Sequence, residues 1–345
     1  MAPSHHLEAN IPVIDLSNPS PETAKEVLDA ASTHGFLFIK NDGLTIPSED
    51  IAAMFELSKA FFAQPESVKS EYAIHSDKAG GLNRGWVRMQ GEALDPEGTK
   101  HGDPKEAFNI APPIPALQPL PSPLSSHTSL ITRFQTSCQT LCTTLLTHLG
   151  TALSLPNPTW FTDRHSLSSP SGTIFRMLYY PATHCTSSED SSEKRVLAGA
   201  HSDYGSLTLL FRLPGQPGLE LLTPQKTWSP VPVNPSPTTL AHPPILVNIG
   251  DLLSFWTNGL LRSTVHRVAF DGAAGNEERY SMAYFCHPVD EARLEGVPGL
   301  EKVEGEGARE ELEGQRKKVT WEEGEELTAK EHLERRLGVT YGLGK

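Results

Sequence analysis

Cysteine is scarce in this chain of 345 residues: there are 4, at Cys138, Cys142, Cys185 and Cys286, with no CxxC spacing. That excludes a disulfide-built scaffold and a zinc ribbon, and it fits a reducing compartment. Long apolar runs are missing as well, since no stretch approaches the roughly 18 uninterrupted apolar residues of a membrane-spanning helix. The opening MAPSHHLEAN has neither a cationic start nor an apolar stretch. No secretory leader is therefore expected, and the reading is a cytoplasmic protein. Positive charge is short too, with Lys+Arg 29 against Asp+Glu 42 and a net charge of −13. Phosphate contact needs grouped cations, and none stand out, which argues against nucleic-acid binding. No internal repeat is visible, so a solenoid is not expected.

What the chain does have is a composition of 37% hydrophobic and 21% charged residues, with 29 Pro and 27 Gly. This is globular, with enough chain to bury a real core and many turns between short strands. IPVIDL at 11–16, the helix formers from Pro21 to Ser32 and GFLFIK at 35–40 read as strand, helix, strand. Residues 48–65 place Ile51, Met54, Phe55, Leu57, Phe61 and Phe62 at helical spacing. Residues 75–125, rich in Gly, Pro and polar side chains, read as long connections. Over 126–153, Leu130, Phe134, Cys138, Leu141, Leu145 and Leu149 recur every three or four residues and predict the main helix. The thiols of Cys138 and Cys142 are read as core fillers.

From 172 to 290 short β-prone runs alternate with turns: TIFRMLYY, SLTLLF, LELL, ILVNIG, LLSFW, STVHRVAF and RYSMAYF. Such spacing predicts a sandwich or barrel. Residues 184–195 and 229–244 read as surface insertions, and the stretch beyond Val289 as a charged helical tail with a final helix near 328–337.

Three features carry chemistry. In AHSDYGSLTLLF, His201 and Asp203 stand two apart and would share one face of a strand. In NIGDLLSFWTNGLLRSTVHRVAF, His266 lies on another β-prone run that can meet the first across a barrel. In RYSMAYF, Arg279 and Ser281 are again two apart, and an inward guanidinium is costly unless an anion meets it. Two histidines and a carboxylate on one side of a metal leave open positions, as in non-haem Fe(II) oxygenases. A zinc hydrolase of the H-E-x-x-H type would need Glu where Ser202 stands. Asp251 is read as fixing a local turn, and His184, His242 and His287 are given no ligand role.

At this point the chain resembles the Fe(II)- and 2-oxoglutarate-dependent dioxygenase superfamily, in its isopenicillin N synthase-like branch. The motifs stand in family order: IPVIDLS, GFLFIKNDG, DPKEAFNI at 103–110, LYYP, HSD, NIGD, NG, HRV and RYS, with TAKEHLERRLGVTY resembling the closing helix. The resemblance implies an α+β fold, a double-stranded β-helix (jelly-roll, cupin-like barrel) flanked by helices. It divides the chain into an N-terminal region (1–125), a supporting helix and connection (126–169), a catalytic barrel (170–290) and a charged helical tail (291–345). It makes His201, Asp203 and His266 the iron ligands. It gives Arg279, Ser281 and Tyr180 to 2-oxoglutarate, whose carboxylate suits the bidentate fork of arginine. Leu178 stands where many relatives have Asn. Phe285, Phe108 and Arg84 are the substrate candidates, with barrel core as the other reading of Phe285.

The implied cofactors are Fe(II), 2-oxoglutarate and O2, with ascorbate as reductant. The implied reaction couples oxidative decarboxylation of 2-oxoglutarate to hydroxylation, desaturation or ring modification of a small, fairly apolar molecule of specialised (secondary) metabolism. No membrane, nucleic-acid or obligate protein partner is expected. An iron oxidase that needs no 2-oxoglutarate stays open as the alternative.

Overall fold

The computed structural model describes residues 8–43, 45–95, 102–182, 194–239, 242–271, 277–300 and 325–342. The strands are β1 (Val13–Ile14), β2 (Phe36–Ile39), β3 (Gly85–Val87), β4 (Glu106–Ile110), β5 (Ile174–Tyr180) and β6 (Lys194–His201). They continue as β7 (Leu207–Arg212), β8 (Leu219–Leu222), β9 (Trp228–Pro230), β10 (Ile245–Ile249), β11 (His266–Asp271) and β12 (Arg279–Cys286). The helices are α1 (Pro21–Thr33), α2 (Ser48–Phe62), α3 (Glu66–Ser70), α4 (Thr128–Ala152), α5 (Trp160–Asp163), α6 (Asp251–Trp256) and α7 (Ala329–Tyr341). No helix among the described residues is long and apolar enough to cross a membrane.

Eight strands form one sheet in the order β1-β2-β10-β7-β12-β5-β4-β3, and four form a second in the order β6-β11-β8-β9. Pairing is antiparallel except between β1 and β2. Strand side chains alternate between faces, so the large sheet has an inner and an outer layer. The inner face meets the small sheet through Leu178, Ala283, Leu197, Ala198, Val268 and Phe270 at one end. Phe36, Phe38, Leu219, Leu221 and Leu246 close the other end. This is the jelly-roll barrel that the resemblance implies.

The outer face of the large sheet rests on α1, α2 and α4. In α4, Ile131, Phe134, Cys138, Leu141, Cys142, Leu145, Leu146 and Leu149 are buried. Thr136, Thr140, Thr144, Thr147 and Thr151 face solvent and return each hydroxyl to the carbonyl four residues back. The apolar stripe fixes how the helix sits, and the threonine ladder satisfies its wet side.

Two sequence expectations change. DLLSFW is the helix α6 rather than a strand: the Asp251 and Leu252 N–H groups bond to the carbonyls of Asp203 (2.8 Å) and Gly205 (3.1 Å), which turns the chain after β10. A short apolar run has no period long enough to distinguish the two states, and tertiary bonds decide. The stretch 75–125 is not all connection, because β3 and β4 extend the large sheet beyond β5. Most of the insertion read at 184–195, the Glu-rich part of the tail, His184 and Cys185 lie outside the described residues.

Candidate metal centre

Strand pairing brings the two histidines together. His201 ends β6 and His266 begins β11, and the two are direct partners across the antiparallel ladder. They are thus neighbours in the small sheet, not residues meeting across the barrel. Their ring centroids lie 4.4 Å apart. Asp203 lies beyond the end of β6, in the turn that carries the chain to the large sheet. Its place beside His201 therefore comes from that turn rather than from strand alternation.

The large sheet supplies the support. Thr208 Oγ1 on β7 donates to Asp203 Oδ2 at 2.6 Å, and Asn248 Nδ2 on β10 donates to the same oxygen at 2.7 Å. The Asp203 Oδ1 atom is left facing His201 Nε2 at 3.7 Å and His266 Nε2 at 3.8 Å. Both Nδ1 atoms sit against backbone carbonyls, that of Gly199 at 2.7 Å and that of Thr264 at 3.1 Å. With Nδ1–H donating there, each Nε2 lone pair is turned toward the carboxylate oxygen, the tautomer a metal requires.

The backbone behind the trio is tightly packed. A Cβ on Gly250 would sit 2.2 Å from the Gly205 carbonyl oxygen, so the NIGD segment needs glycine for this approach. Asp251 does more than the local turn expected of it. Its carboxylate accepts from Ser202 (3.1 Å) and Ser263 (2.6 Å) and pairs with Arg336 of α7.

The electrostatics suit a cation. Burial lowers the His201 imidazole, helped by the neighbouring His266 ring, to about 4, so it is neutral at pH 7. Burial alone would raise Asp203, but the two imidazoles and the Asn248 and Thr208 bonds hold it below the usual carboxylate range. The three ligand atoms lie within 4.8 Å of one another, the one such group among the described residues. Two imidazoles and a carboxylate converging from one side fit Fe(II) with positions left open.

Deeper in the barrel, Arg279 on β12 pairs in register with Tyr180 on β5, and Ser281 pairs with Leu178. Arg279 donates from Nε to the Pro217 carbonyl (3.0 Å) and from Nη1 to Ser281 Oγ (3.2 Å), with its guanidinium 5.1 Å from the Tyr180 ring. It is 3% exposed, and no carboxylate among the described residues pairs with it. Burial lowers its proton affinity, partly offset by Tyr180. A buried, unpaired guanidinium costs several kcal/mol unless an anion joins it, which fits a carboxylate ligand. Arg212, opposite Ser281 on β7, is a second buried cation that the sequence reading missed, tied to the carbonyls of Val231 (3.1 Å) and Pro232 (2.7 Å). Leu178 points into the apolar cluster beside them.

One cavity, about 550 Å³ counting its open mouth, touches His201 and Asp203. Phe285 lines it with Ile174, Leu333 and Leu337, but so do Asn83, Asn109, Glu92, Arg176, Tyr204, His287 and Tyr341. Polar and apolar side chains thus share the lining. Phe108 leaves the substrate candidates: it sits on the opposite face of β4 from Asn109, fully buried in the main core against Phe61 at 4.6 Å. Arg84 turns its guanidinium to the Gly80 carbonyl (3.0 Å), and its neighbour Asn83 reaches the cavity instead. The missed residues had a faint sequence trace, since Asn109 and Arg176 sit inside motifs already singled out, DPKEAFNI and TIFRMLYY.

Comparison with known proteins agrees with this geometry. Residues 11–130 match the family model described as the non-haem dioxygenase in morphine synthesis N-terminal, and residues 171–288 match that of the 2OG-Fe(II) oxygenase superfamily. The UPF0676 protein C1494.01 of Schizosaccharomyces pombe is 35% identical over 336 residues, covering 96% of this chain and 93% of that protein. The 2-oxoglutarate-Fe(II) type oxidoreductase ppzD of Metarhizium rileyi is 28% identical, covering 92% and 86%. Among solved structures, a full-length Neurospora crassa protein crystallised with α-ketoglutarate and thymine has a TM-score of 0.73 at 26% identity, covering 97% of this chain and 98% of that one. The co-substrate in these names does not favour the oxidase alternative. Fold, ligand geometry and relatives converge: the chain belongs to the Fe(II)- and 2-oxoglutarate-dependent dioxygenase superfamily, oxidoreductases that use Fe(II), 2-oxoglutarate and O2.

Proposed function

We propose that His201, Asp203 and His266 hold the iron and that Arg279, Ser281 and Tyr180 hold the far carboxylate of 2-oxoglutarate. The cavity beside His201 then receives a small organic molecule, one of whose C–H bonds is oxidised. The observation that carries this reading is the orientation of Asp203: one oxygen is held by Thr208 and Asn248, and the other faces two Nε2 atoms. When bound, Fe(II) with 2-oxoglutarate and O2 would supply the oxidising chemistry, O2 taking two electrons from 2-oxoglutarate, which becomes succinate and CO2, and two from the substrate.

The protein's part is placement. The carbonyls of Gly199 and Thr264 keep both imidazoles in the ligating tautomer. Arg279 and Ser281 fix one end of the co-substrate, leaving its keto-acid end for the iron. Phe285, Ile174, Leu333 and Leu337 keep water away from the C–H bond to be attacked. No side-chain acid or base is required, because the proton and electron traffic belongs to the cofactor. A small-molecule substrate is also supported by the thymine in the Neurospora crassa complex.

The test is succinate release from 2-oxoglutarate by the purified protein with Fe(II), ascorbate and O2, with and without a metabolite extract. Extract-dependent succinate is expected, and His201→Ala or Asp203→Ala should abolish it while leaving the far-ultraviolet circular dichroism unchanged. Full turnover in either variant would remove these residues from the metal site.

A further inference from the structure

Strand β6 reaches the metal site through an irregular step. Ala198 pairs with Val268 of β11 and His201 pairs with His266, so Gly199 and Ala200 together stand opposite Arg267 alone. Two residues against one make a β-bulge, which re-aims a strand and frees backbone groups from the regular ladder. This one comes immediately before the first of the proposed iron ligands.

Both polar groups of Gly199 have side-chain partners. Its carbonyl accepts His201 Nδ1 at 2.7 Å, the bond that leaves Nε2 for a metal. Its N–H donates to Asp103 Oδ1 at 3.0 Å, joining residues 96 positions apart. The segment before Asp103 closes on the same spot, since a Cβ on Gly199 would sit 2.7 Å from Asp95 Cβ.

Asp103 is held in its turn. Its N–H bonds to the Glu92 carbonyl (2.8 Å), and its own carbonyl accepts the Gln90 N–H (3.2 Å). Its Oδ2 accepts Lys105 Nζ at 2.5 Å and the Leu94 N–H at 3.3 Å. Lys105 also reaches Glu92 at 3.0 Å, and Glu92 is met by Arg176 at 2.5 Å and by the Tyr341 hydroxyl at 2.7 Å. The Lys105 and Asp103 side chains are 1% and 2% exposed. A buried ion pair is often no more stabilising than apolar groups of the same volume, so stability alone does not account for this one. What an apolar pair would lack is an acceptor, fixed in place, for the Gly199 N–H.

We propose that Asp103 is a positioning residue for the iron: its carboxylate, steadied by Lys105, locks the β6 bulge so that the Gly199 carbonyl holds the His201 ring with Nε2 turned to the metal. Asp103 lies outside the cavity lining and acts through Gly199. This assignment rests on the functional reading above and adds to it the device that aims one ligand.

The experiment compares two double variants of the full chain. Both carry Lys105→Met, so that the charges stay balanced and Glu92 keeps Arg176 and Tyr341. Asp103→Asn retains an acceptor for Gly199, whereas Asp103→Leu has a similar volume and none. Fe(II) affinity is read by titration without O2, the hold on Gly199 by hydrogen exchange of its amide, and the fold by far-ultraviolet circular dichroism. The Leu variant should bind Fe(II) about tenfold more weakly than the Asn variant, the lower end of the effect of an outer partner of a metal ligand. Its Gly199 amide should also exchange faster, with the fold of both variants preserved.

Equal Fe(II) affinity in the two variants would overturn the assignment. Should neither double variant fold, the wild type decides: its Gly199 amide is expected to exchange as slowly as its neighbours in β6, and fast exchange there would show that Asp103 does not hold the bulge. Failure of the wild-type chain to bind Fe(II) would instead overturn the functional reading beneath, and the Gly199 exchange result would stand apart from it.

Discussion

Asp203 owes its orientation to two residues far from it in sequence or on another strand. Thr208 and Asn248 both bond to the oxygen turned away from the histidines. Removing such a partner lets the carboxylate rotate, and outer partners of metal ligands are typically worth about 10- to 100-fold in metal affinity. Asn248→Ala is therefore expected to weaken Fe(II) binding within that range, read by Fe(II) titration, with the fold preserved. Binding as tight as in the wild type would remove Asn248 from the support of the site. Arg279 makes a separable prediction, because it lies near Tyr180 rather than the ligand trio. Arg279→Ala should raise the KM for 2-oxoglutarate and leave Fe(II) affinity unchanged in the same titration. A change confined to the KM of the primary substrate would point Arg279 at that substrate instead.

Helix α7 starts with a capping box, Thr328 bonding the Glu331 N–H while Glu331 returns to the Thr328 N–H. Its inner face carries Leu333, Leu337, Thr340 and Tyr341 to the cavity. Tyr341 donates to Glu92 at 2.7 Å, and the Tyr204 hydroxyl bonds with Thr340. The helix is pinned by Arg336, whose partner Asp251 also accepts the Ser202 hydroxyl beside the metal ligands. Breaking a buried pair by removing one partner costs about 3–5 kcal/mol, because the other charge stays buried. Arg336→Leu should lose stability of that order in urea unfolding, and should lose substrate-dependent succinate release more than Fe(II) affinity. A loss below about 1 kcal/mol, the range of exposed pairs, would mean that Asp251 is satisfied without Arg336. The Asp251 site was legible in the sequence only as a turn, since its partner lies 85 residues away.

For the whole molecule, buried histidines set the response to acid. Burial lowers His165 and His287 to about 4 and His332 to about 3, each from an ordinary value near 6.5. Between those limits the unfolded chain takes up protons that the folded chain refuses, so stability is full above pH 6.5 and falls as pH drops toward 4. Unfolding near pH 5 should take up about three protons from these groups. The measurement is the urea midpoint at pH 7 and pH 5 in the presence of a chelator, and a midpoint unchanged or higher at pH 5 would contradict the burial of these rings. Below that window the lowered carboxylates act in the same direction. Burial alone would raise Glu92, but Arg176 and Lys105 hold it down, and its protonation would release both cations from their partner.

Much of the site was readable without coordinates because its pieces are local. HSD, HRV and RYS each keep their chemistry within three residues, and the periodicity of 126–153 marked α4 because a one-sided apolar stripe has one physical use. What stayed hidden was which face of a strand would be covered by what. Phe108 and Asn109 are adjacent, so alternation sends them to opposite sides of β4: one joins α2 in the core and the other reaches the cavity. Nothing in DPKEAFNI alone says which. The pairings of Asn109 with Arg176, of His201 with His266, and of Asp251 with Arg336 emerge once the sheets and α7 are assembled. Ladder register and helix docking join residues tens of positions apart, and no local pattern of hydrophobicity encodes those distances. The chemistry of the iron site is therefore written in short motifs, whereas the pocket that selects its substrate exists only after strand register and helix docking have set its walls.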